Sequence, residues 1–187
     1  FPSVAGDPLV ALVSEADANA VLQIDYDSEQ VCIVGDDSLD VEAATSFHLS
    51  VALDELAILA AVEGYQTWLR VDTDYDGELL LDRATAEGLD LTAAEFLGDN
   101  SQLEAADFFV EFVGSLELGT KVFRNVETNI PLLEVPYDHY MNRGPKPGAS
   151  APEAEFLTVG SLGEAILEDV IIILDIAKRQ LTVTDAE

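Results

Sequence analysis

The most informative part of this 187-residue sequence is Trp68-Leu-Arg-Val-Asp72-Thr-Asp-Tyr-Asp-Gly77-Glu-Leu-Leu-Leu81. An apolar run typical of a strand leads into Asp72-Thr73, an acidic turn with Gly77 follows, and a second apolar run leaves that turn. Two strands that flank such a turn hold one aspartate at the floor of a cleft. The stretch therefore predicts a β structure organised around Asp72.

Short β-rich runs and turn residues surround this stretch. Their spacing is typical of an all-β meander. Two short helices are also predicted, Arg83–Gly88, which ends on its glycine, and Glu164–Asp169. The predicted strands and strand pairs are Phe47–Leu53, Leu56–Val62, Tyr65–Val71, Leu79–Leu81, and a hairpin of Phe108–Val113 with Ser115–Val126.

Two hairpin patterns lie far apart in the sequence, one ending near residue 34 and the other near residue 183. Matching Asp25 to Asp175 also matches Gln30 to Gln180, with the apolar positions in register. A whole hairpin in register indicates an internal repeat. We therefore predict two units, residues 1–38 as the C-terminal remnant of a first lobe and 39–187 as a complete lobe. An acidic linker at 35–45 joins them.

The Asp72 stretch resembles the active-site loop of aspartic peptidases of the retropepsin and pepsin type. Asp72, Thr73 and Gly77 fit the motif of that family, whereas Asp74 stands where the family has an essential glycine. The segment Gly160-Ser-Leu162-Gly163 is similar to the ψ-loop signature that closes each lobe, in which Gly163 permits close backbone approach to the active-site loop. The resemblance implies a mostly β fold, a retropepsin-like closed barrel lobe with short helices.

The same resemblance implies a requirement for catalysis. Aspartic peptidases use two carboxyl groups that share one proton around a water molecule, and this chain offers one candidate, Asp72, together with Thr73. A carboxylate at Asp74 adds a like charge to that site. We therefore expect a catalytically degenerate domain that binds protein or serves as an assembly subunit. The alternative is an active aspartic endopeptidase in which Asp72 pairs with an aspartate from another lobe or subunit.

Calcium is a rival interpretation of the same loop. Asp72, Asp74, Asp76 and Gly77 match the first half of an EF-hand loop. The twelfth position of such a loop is a bidentate glutamate, but Arg83 stands there, and a strand precedes the loop where an EF-hand has a helix. An EF-hand is therefore not expected, no metal site is assigned, and no cofactor is expected.

The net charge of −29 bears on the partners of the chain. Contacts to nucleic acid and to anionic lipid depend on clustered Lys and Arg, of which the chain has only eight. We therefore expect neither nucleic acid nor membrane insertion, and the partner is a protein, a second lobe or a subunit. The Pro/Gly-rich loop at 138–155 carries Arg143 and Lys146 and is a candidate contact surface.

Several single residues are expected in the core. The single cysteine, Cys32, lies in an apolar run and is expected to be a small core residue. Trp68 and the cluster Phe108–Phe112 are also expected in the core. A start at Phe1 suggests a processed N-terminus and an organelle lumen or an exported compartment, with the localisation otherwise open.

Overall fold

The computed structural model describes residues 13, 15–28, 30–35, 40, 42–50, 55–91, 108–132 and 158–186. Within these ranges the chain is mostly β, with eleven strands and two short helices. The strands are β1 Val21–Asp25, β2 Gln30–Val34, β3 Thr45–Ser50, β4 Glu55–Val62, β5 Tyr65–Val71, β6 Leu79–Leu81, β7 Phe108–Leu118, β8 Lys121–Pro131, β9 Gly160–Leu162, β10 Val170–Asp175 and β11 Gln180–Asp185. The helices are α1 Arg83–Gly88 and α2 Glu164–Leu167.

Six of these strands form a closed barrel. The strand order β4-β5-β9-β6-β8-β7 returns to its start because β7 also pairs with β4. Within the barrel, β9 runs parallel to β5 and antiparallel to β6, while β6 runs parallel to β8. The predicted mostly β fold with a closed barrel and short helices is confirmed. Both helices begin where predicted, and α2 ends two residues earlier than expected.

The barrel closes around side chains that alternate along its strands. In β7, for example, Leu116 and Leu118 are fully buried and belong to the main core cluster, whereas Glu117 between them is partly exposed. In a strand with one face to the core, alternate residues point inward, and this alternation brings β4, β5, β7 and β8 around one interior. The short strands β6 and β9 are buried along their whole length. They occupy the interior of the sheet, next to the Asp72 loop.

The remaining strands extend this sheet on one side. Their order is β2-β1-β10-β11-β3, and β3 connects to the barrel through β4. The two hairpins predicted from the sequence repeat, β1–β2 and β10–β11, are therefore present and lie side by side. In each turn an aspartate carboxylate accepts a hydrogen bond from the backbone N–H three residues later. Ser28 donates to Asp25 at 3.1 Å, and Lys178 donates to Asp175 at 2.9 Å.

Asp175 is expected to make folding stability depend on pH. Burial would raise the pKa of this carboxyl, but hydrogen bonds from Lys178, whose Nζ lies 2.7 Å from Oδ2, lower the pKa below its ordinary value of 3.8. A lowered folded-state pKa adds stability above the unfolded-state pKa, and that stability disappears as the pH falls through the folded-state value. We expect Asp175→Asn to cost about 1–3 kcal/mol at pH 7.

Chemical denaturation of the wild type and of Asp175→Asn at a series of pH values checks this expectation. The difference between them should shrink as the pH falls below about 4, because the wild-type carboxyl is then protonated as well. Asp25→Asn is the matched control in the other hairpin, with a smaller expected effect because Asp25 is more exposed. A difference that stays constant down to pH 2 would contradict the assignment.

Several sequence predictions about burial are wrong. Cys32 is exposed and is not a core residue. Of the phenylalanine cluster, Phe109 is buried, but Phe108 and Phe112 are exposed, because they lie on the outward face of β7. Trp68 is half-buried.

Other predictions lie outside the described residues. These are the loop at 138–155, positions 36–39 and 41 of the linker, and the end of the predicted strand Phe47–Leu53 beyond residue 50. Within the described ranges, neither helix is long and apolar enough to cross a membrane.

Candidate functional site

The Asp72 loop connects the end of β5 to β6. The backbone N–H of Asp72 donates to the carbonyl oxygen of Leu162 at 2.9 Å, so β9 fixes the start of the loop. The carboxylate oxygen Oδ1 of Asp72 accepts a hydrogen bond from the N–H of Asp74 at 3.3 Å, and the Asp72 carbonyl accepts one from the N–H of Tyr75, also at 3.3 Å. The loop therefore holds Asp72 in one place, with 6% of the residue exposed.

Arg70 is the feature that sets the charge of this site. Its Nη2 lies 2.5 Å from Oδ2 of Asp72, and both side chains are 8% exposed. Residues i and i+2 of a strand point to the same face. Arg70 lies in β5 and Asp72 directly follows the strand, so the guanidinium lies against the carboxylate. No hydrogen-bond partner for the Arg70 Nε is found among the described residues. Asp72 and Arg70 thus form a buried ion pair.

The side chain of Tyr75 packs against Gly77 and Gly163. Its hydroxyl donates to the carbonyl of Leu79 at 3.3 Å and accepts from Nδ2 of Asn129 at 2.7 Å. Burial raises the pKa of the Tyr75 hydroxyl; the Asn129 hydrogen bond opposes this, and the nearby carboxylates of Glu127, Asp72 and Glu78 raise the pKa further. The tyrosine therefore remains a neutral hydroxyl that bridges the loop to β8.

The glycines of the predicted ψ-loop signature pack directly against this loop. A side chain at Gly163 would meet the carbonyl oxygens of Gly77 and Tyr75, and one at Gly160 would meet the carbonyl oxygen of Leu80. The N–H of Glu164 donates to the Tyr75 carbonyl at 2.8 Å, and Gly163 donates to Glu78 at 3.0 Å. The close backbone approach predicted for Gly163 is thus present, and Leu162 between the two glycines is fully buried.

The three loop carboxylates do not converge. Asp74 and Asp76 are exposed, whereas Asp72 is buried against Arg70, and Thr73 is half-buried. In the described part of the chain, no group of three or more His, Cys, Asp or Glu side chains is arranged to hold a metal ion. The loop geometry therefore gives the calcium alternative no cluster of free carboxylate ligands.

No protein-family model and no curated protein matches this chain. Among solved structures, it is similar to a retropepsin-like aspartic protease from Rickettsia conorii, with 15% sequence identity and a TM-score of 0.42. That similarity covers 76% of this chain and 91% of the other.

Sequence reasoning placed Asp72 correctly in a loop between two strands, but it missed Arg70, Tyr75 and Asn129. A signal for Arg70 was available, because a lone cation in the apolar run before Asp72 shares the face of that aspartate. Tyr75 lies within the quoted stretch, but its inward orientation follows from packing against Gly77 and Gly163. No sequence signal identifies Asn129, which comes from a strand 54 residues away.

Proposed function

We propose that this chain is a catalytically degenerate domain of aspartic-protease type, of retropepsin-like fold, that binds protein as a subunit of a larger assembly. In this proposal residues 39–187 form the lobe, and 1–38 are the remnant of a first lobe. The motif around Asp72 and Thr73 and the glycines beside it support the aspartic-protease type. The closed barrel, with β9 and β6 lying against the Asp72 loop, is consistent with that assignment.

The observation that carries the proposal of degeneracy is the ion pair between Arg70 and Asp72. In an aspartic peptidase the two carboxyl groups share one proton, so that one activates the water while the other protonates the scissile carbonyl. An arginine stays positively charged throughout the pH range of proteins. In this chain, therefore, the charge of Asp72 is balanced by a fixed cation, and its Oδ2 is occupied by that cation.

Asp74 supports the same conclusion in a weaker way. Glycine at this position in the family leaves room for substrate and for the neighbouring backbone, whereas Asp74 adds a side chain and a charge two residues from Asp72. The Asp74 side chain is exposed, so its charge is largely screened by water. Its effect is therefore expected to be smaller than that of the buried arginine.

A cleavage assay tests the proposed function. A fluorescently labelled, denatured protein is incubated with the chain between pH 3 and pH 8, with and without pepstatin. Asp72→Asn is the matched control, since it removes the only candidate catalytic carboxylate. We expect the wild type and Asp72→Asn to give the same background rate, unaffected by pepstatin. Robust cleavage by the wild type that Asp72→Asn abolishes would favour the active endopeptidase and overturn the proposal.

The variant Asp74→Gly tests whether residue 74 or the ion pair of Arg70 with Asp72 prevents catalysis. We expect this variant to stay inactive in the same assay, because the ion pair of Arg70 with Asp72 remains. Its stability should change by less than about 1 kcal/mol, because the loss of one exposed negative charge near Asp72 is opposed by the greater unfolded-state entropy of glycine, while the backbone N–H that donates to Asp72 is kept. Pepstatin-sensitive activity in Asp74→Gly alone would show that residue 74, and not Arg70, silences the site.

A further inference from the structure

The N-terminal half of β7 carries a row of exposed apolar side chains. Phe108, Val110 and Phe112 are 41%, 50% and 51% exposed, respectively. Alternate residues of a strand point to the same face, so these three side chains form one row roughly 13 Å long, here called the β7 stripe. Phe109 lies on the opposite face and is buried in a core cluster with Ala86 of α1. The stripe therefore cannot turn inward without removing Phe109 from that core.

The β7 stripe lies where β7 extends beyond its contact with β4. In the described part of the chain, β4 pairs with β7 at Leu116 and Glu117, past the end of the stripe. From Phe108 to Val113 the neighbouring strand is β8, and no described strand pairs with the other edge. Apolar side chains scattered singly over a surface are normal, whereas a contiguous row beside an open strand edge is typical of a site that contacts protein.

Carboxylates border the stripe at its Phe112 end. Glu127 is exposed and stands directly opposite Phe112 on β8. The backbone N–H of Glu127 donates to Oε2 of Glu78, and the backbone N–H of Gly114 donates to Oε1 of Glu63. A side chain at Gly114, on the face of the stripe, would meet the carboxylate of Glu63. The backbone thus holds two carboxylates close to the third at this end of the stripe.

No cation among the described residues neutralises these carboxylates. Of the β8 residues paired with the stripe, Pro131 and Asn129 are uncharged and Glu127 is negative. Within the described ranges, none of Glu63, Glu78 and Glu127 belongs to an ion pair. The net charge of −29 adds a field that attracts positive charge towards the chain. A partner that covers the stripe is therefore expected to bring apolar side chains together with positive charge.

We propose that the β7 stripe is the docking surface for a segment of a partner protein that carries apolar side chains next to a lysine or an arginine. The apolar side chains cover the stripe, and the basic group lies against Glu127 and the neighbouring carboxylates. Removal of apolar surface from water supplies affinity, while the opposite charges set the orientation of the segment and speed its association. The inference rests on the proposed function, because it names the surface and the partner chemistry of the protein-binding subunit.

A second copy of this chain does not fit this surface. A symmetric contact would place the same patch of both copies together, so the carboxylates beside Phe112 would face the like charges of the other copy. Each copy also carries a net charge of −29, and like charges placed together at an interface oppose association. The occupant is therefore a different, basic protein segment.

A short capped peptide in which lysine alternates with leucine serves as the probe. It is titrated at low salt into the isotope-labelled full chain, and backbone amide shifts are recorded by NMR. We expect the largest shifts between Phe108 and Gly114 and at Glu127. Two matched peptides, one with glutamate in place of each lysine and one with serine in place of each leucine, should bind about tenfold more weakly or less, because each lacks one of the two required features.

Three variants of the chain locate the binding site. Phe112→Ser removes a half-exposed ring and should weaken binding about fivefold or more. Glu127→Gln removes one charge, so it should weaken binding about threefold and make the affinity less sensitive to added salt. Val122→Ser is the matched control, since Val122 is 38% exposed near the other end of the β7–β8 hairpin, and it should bind as the wild type does. Circular dichroism checks that all three variants keep the β fold.

The proposal is overturned if the shifts centre on other strands, if Phe112→Ser binds as tightly as the wild type, or if the glutamate peptide binds equally well. It is also overturned if sedimentation shows a dimer that Phe112→Ser abolishes, or if nuclear Overhauser contacts in the free chain show another segment of this chain over Phe112. These outcomes leave the cleavage assay untouched, and peptidase activity in that assay would overturn the proposed function whatever the titration gives. The two proposals therefore fail separately.

Discussion

Replacing Arg70 with Met is expected to lower the free energy of unfolding by about 3–5 kcal/mol at pH 7, because removal of one partner leaves the other charge buried and unpaired. Asp72 is 6% exposed, and its Oδ2 loses its cationic neighbour in this variant. Methionine keeps most of the apolar volume of the arginine stem, so the effect reports mainly on the charge. The measurement is chemical denaturation, with circular dichroism following the loss of β structure.

Lys121→Met is the matched control for Arg70→Met. Lys121 pairs with Asp185, but 81% of the Asp185 side chain is exposed. Exposed ion pairs contribute about 0–1 kcal/mol, since water screens both charges. We therefore expect Lys121→Met to change stability by less than about 1 kcal/mol. If the two variants lost the same small amount of stability, Arg70 and Asp72 would not form the buried pair described above.

Gly163→Ala is expected to produce the second large effect. The added methyl group would lie 2.6 Å from the carbonyl oxygen of Tyr75 and still closer to that of Gly77, and backbone atoms cannot rotate away as a side chain can. Overpacking of this kind costs about 1–3 kcal/mol, and occasionally more. We expect the upper end of this range, together with altered amide shifts in the Asp72 loop, because α2 and β9 would be pushed away from it.

Gly88→Ala provides the control for this substitution. Gly88 ends α1, and an added methyl group there would meet no atom within 4 Å. Alanine has a higher helix propensity than glycine, so this variant should be neutral or more stable by up to about 1 kcal/mol. Thermal or chemical denaturation of both variants gives the comparison. A neutral Gly163→Ala would mean that the loop and β9 are not packed as described.

The sequence was sufficient for most of the β elements, because their apolar alternation and turn residues are local signals. Helix α1 is an example, where Asp82 caps the first turn by accepting a hydrogen bond from the N–H of Thr85 at 2.6 Å and Gly88 ends the helix. The register of the two hairpins was also readable, since Asp25 and Asp175 occupy equivalent turns. The order of the strands in the sheet could not be predicted from the sequence, because the parallel pairing of β5 with β9 joins residues about 90 positions apart.

Burial was the weakest part of the sequence interpretation. Cys32 lies in an apolar run that is normally buried, and its exposure follows from the position of β2 at the edge of the sheet, which is a property of topology. Phe108 and Phe112 alternate with the buried Phe109, and periodicity alone does not say which face of a strand meets the core. Arg70 is the opposite case. A cation is not normally buried, but Asp72, two residues away on the same face, makes the burial of Arg70 tolerable, and this spacing is visible in the sequence.

A double-mutant cycle on Arg70 and Asp72 tests the central claim most directly. The free energies of unfolding of the wild type, Arg70→Met, Asp72→Asn and the double variant are measured at pH 7 under the same conditions. We predict a coupling energy of about 1.5–3 kcal/mol and a double variant more stable than Arg70→Met, because the second substitution removes the unpaired buried charge. A coupling energy near zero would show that Asp72 is not held by Arg70 and would contradict the account of a silenced site.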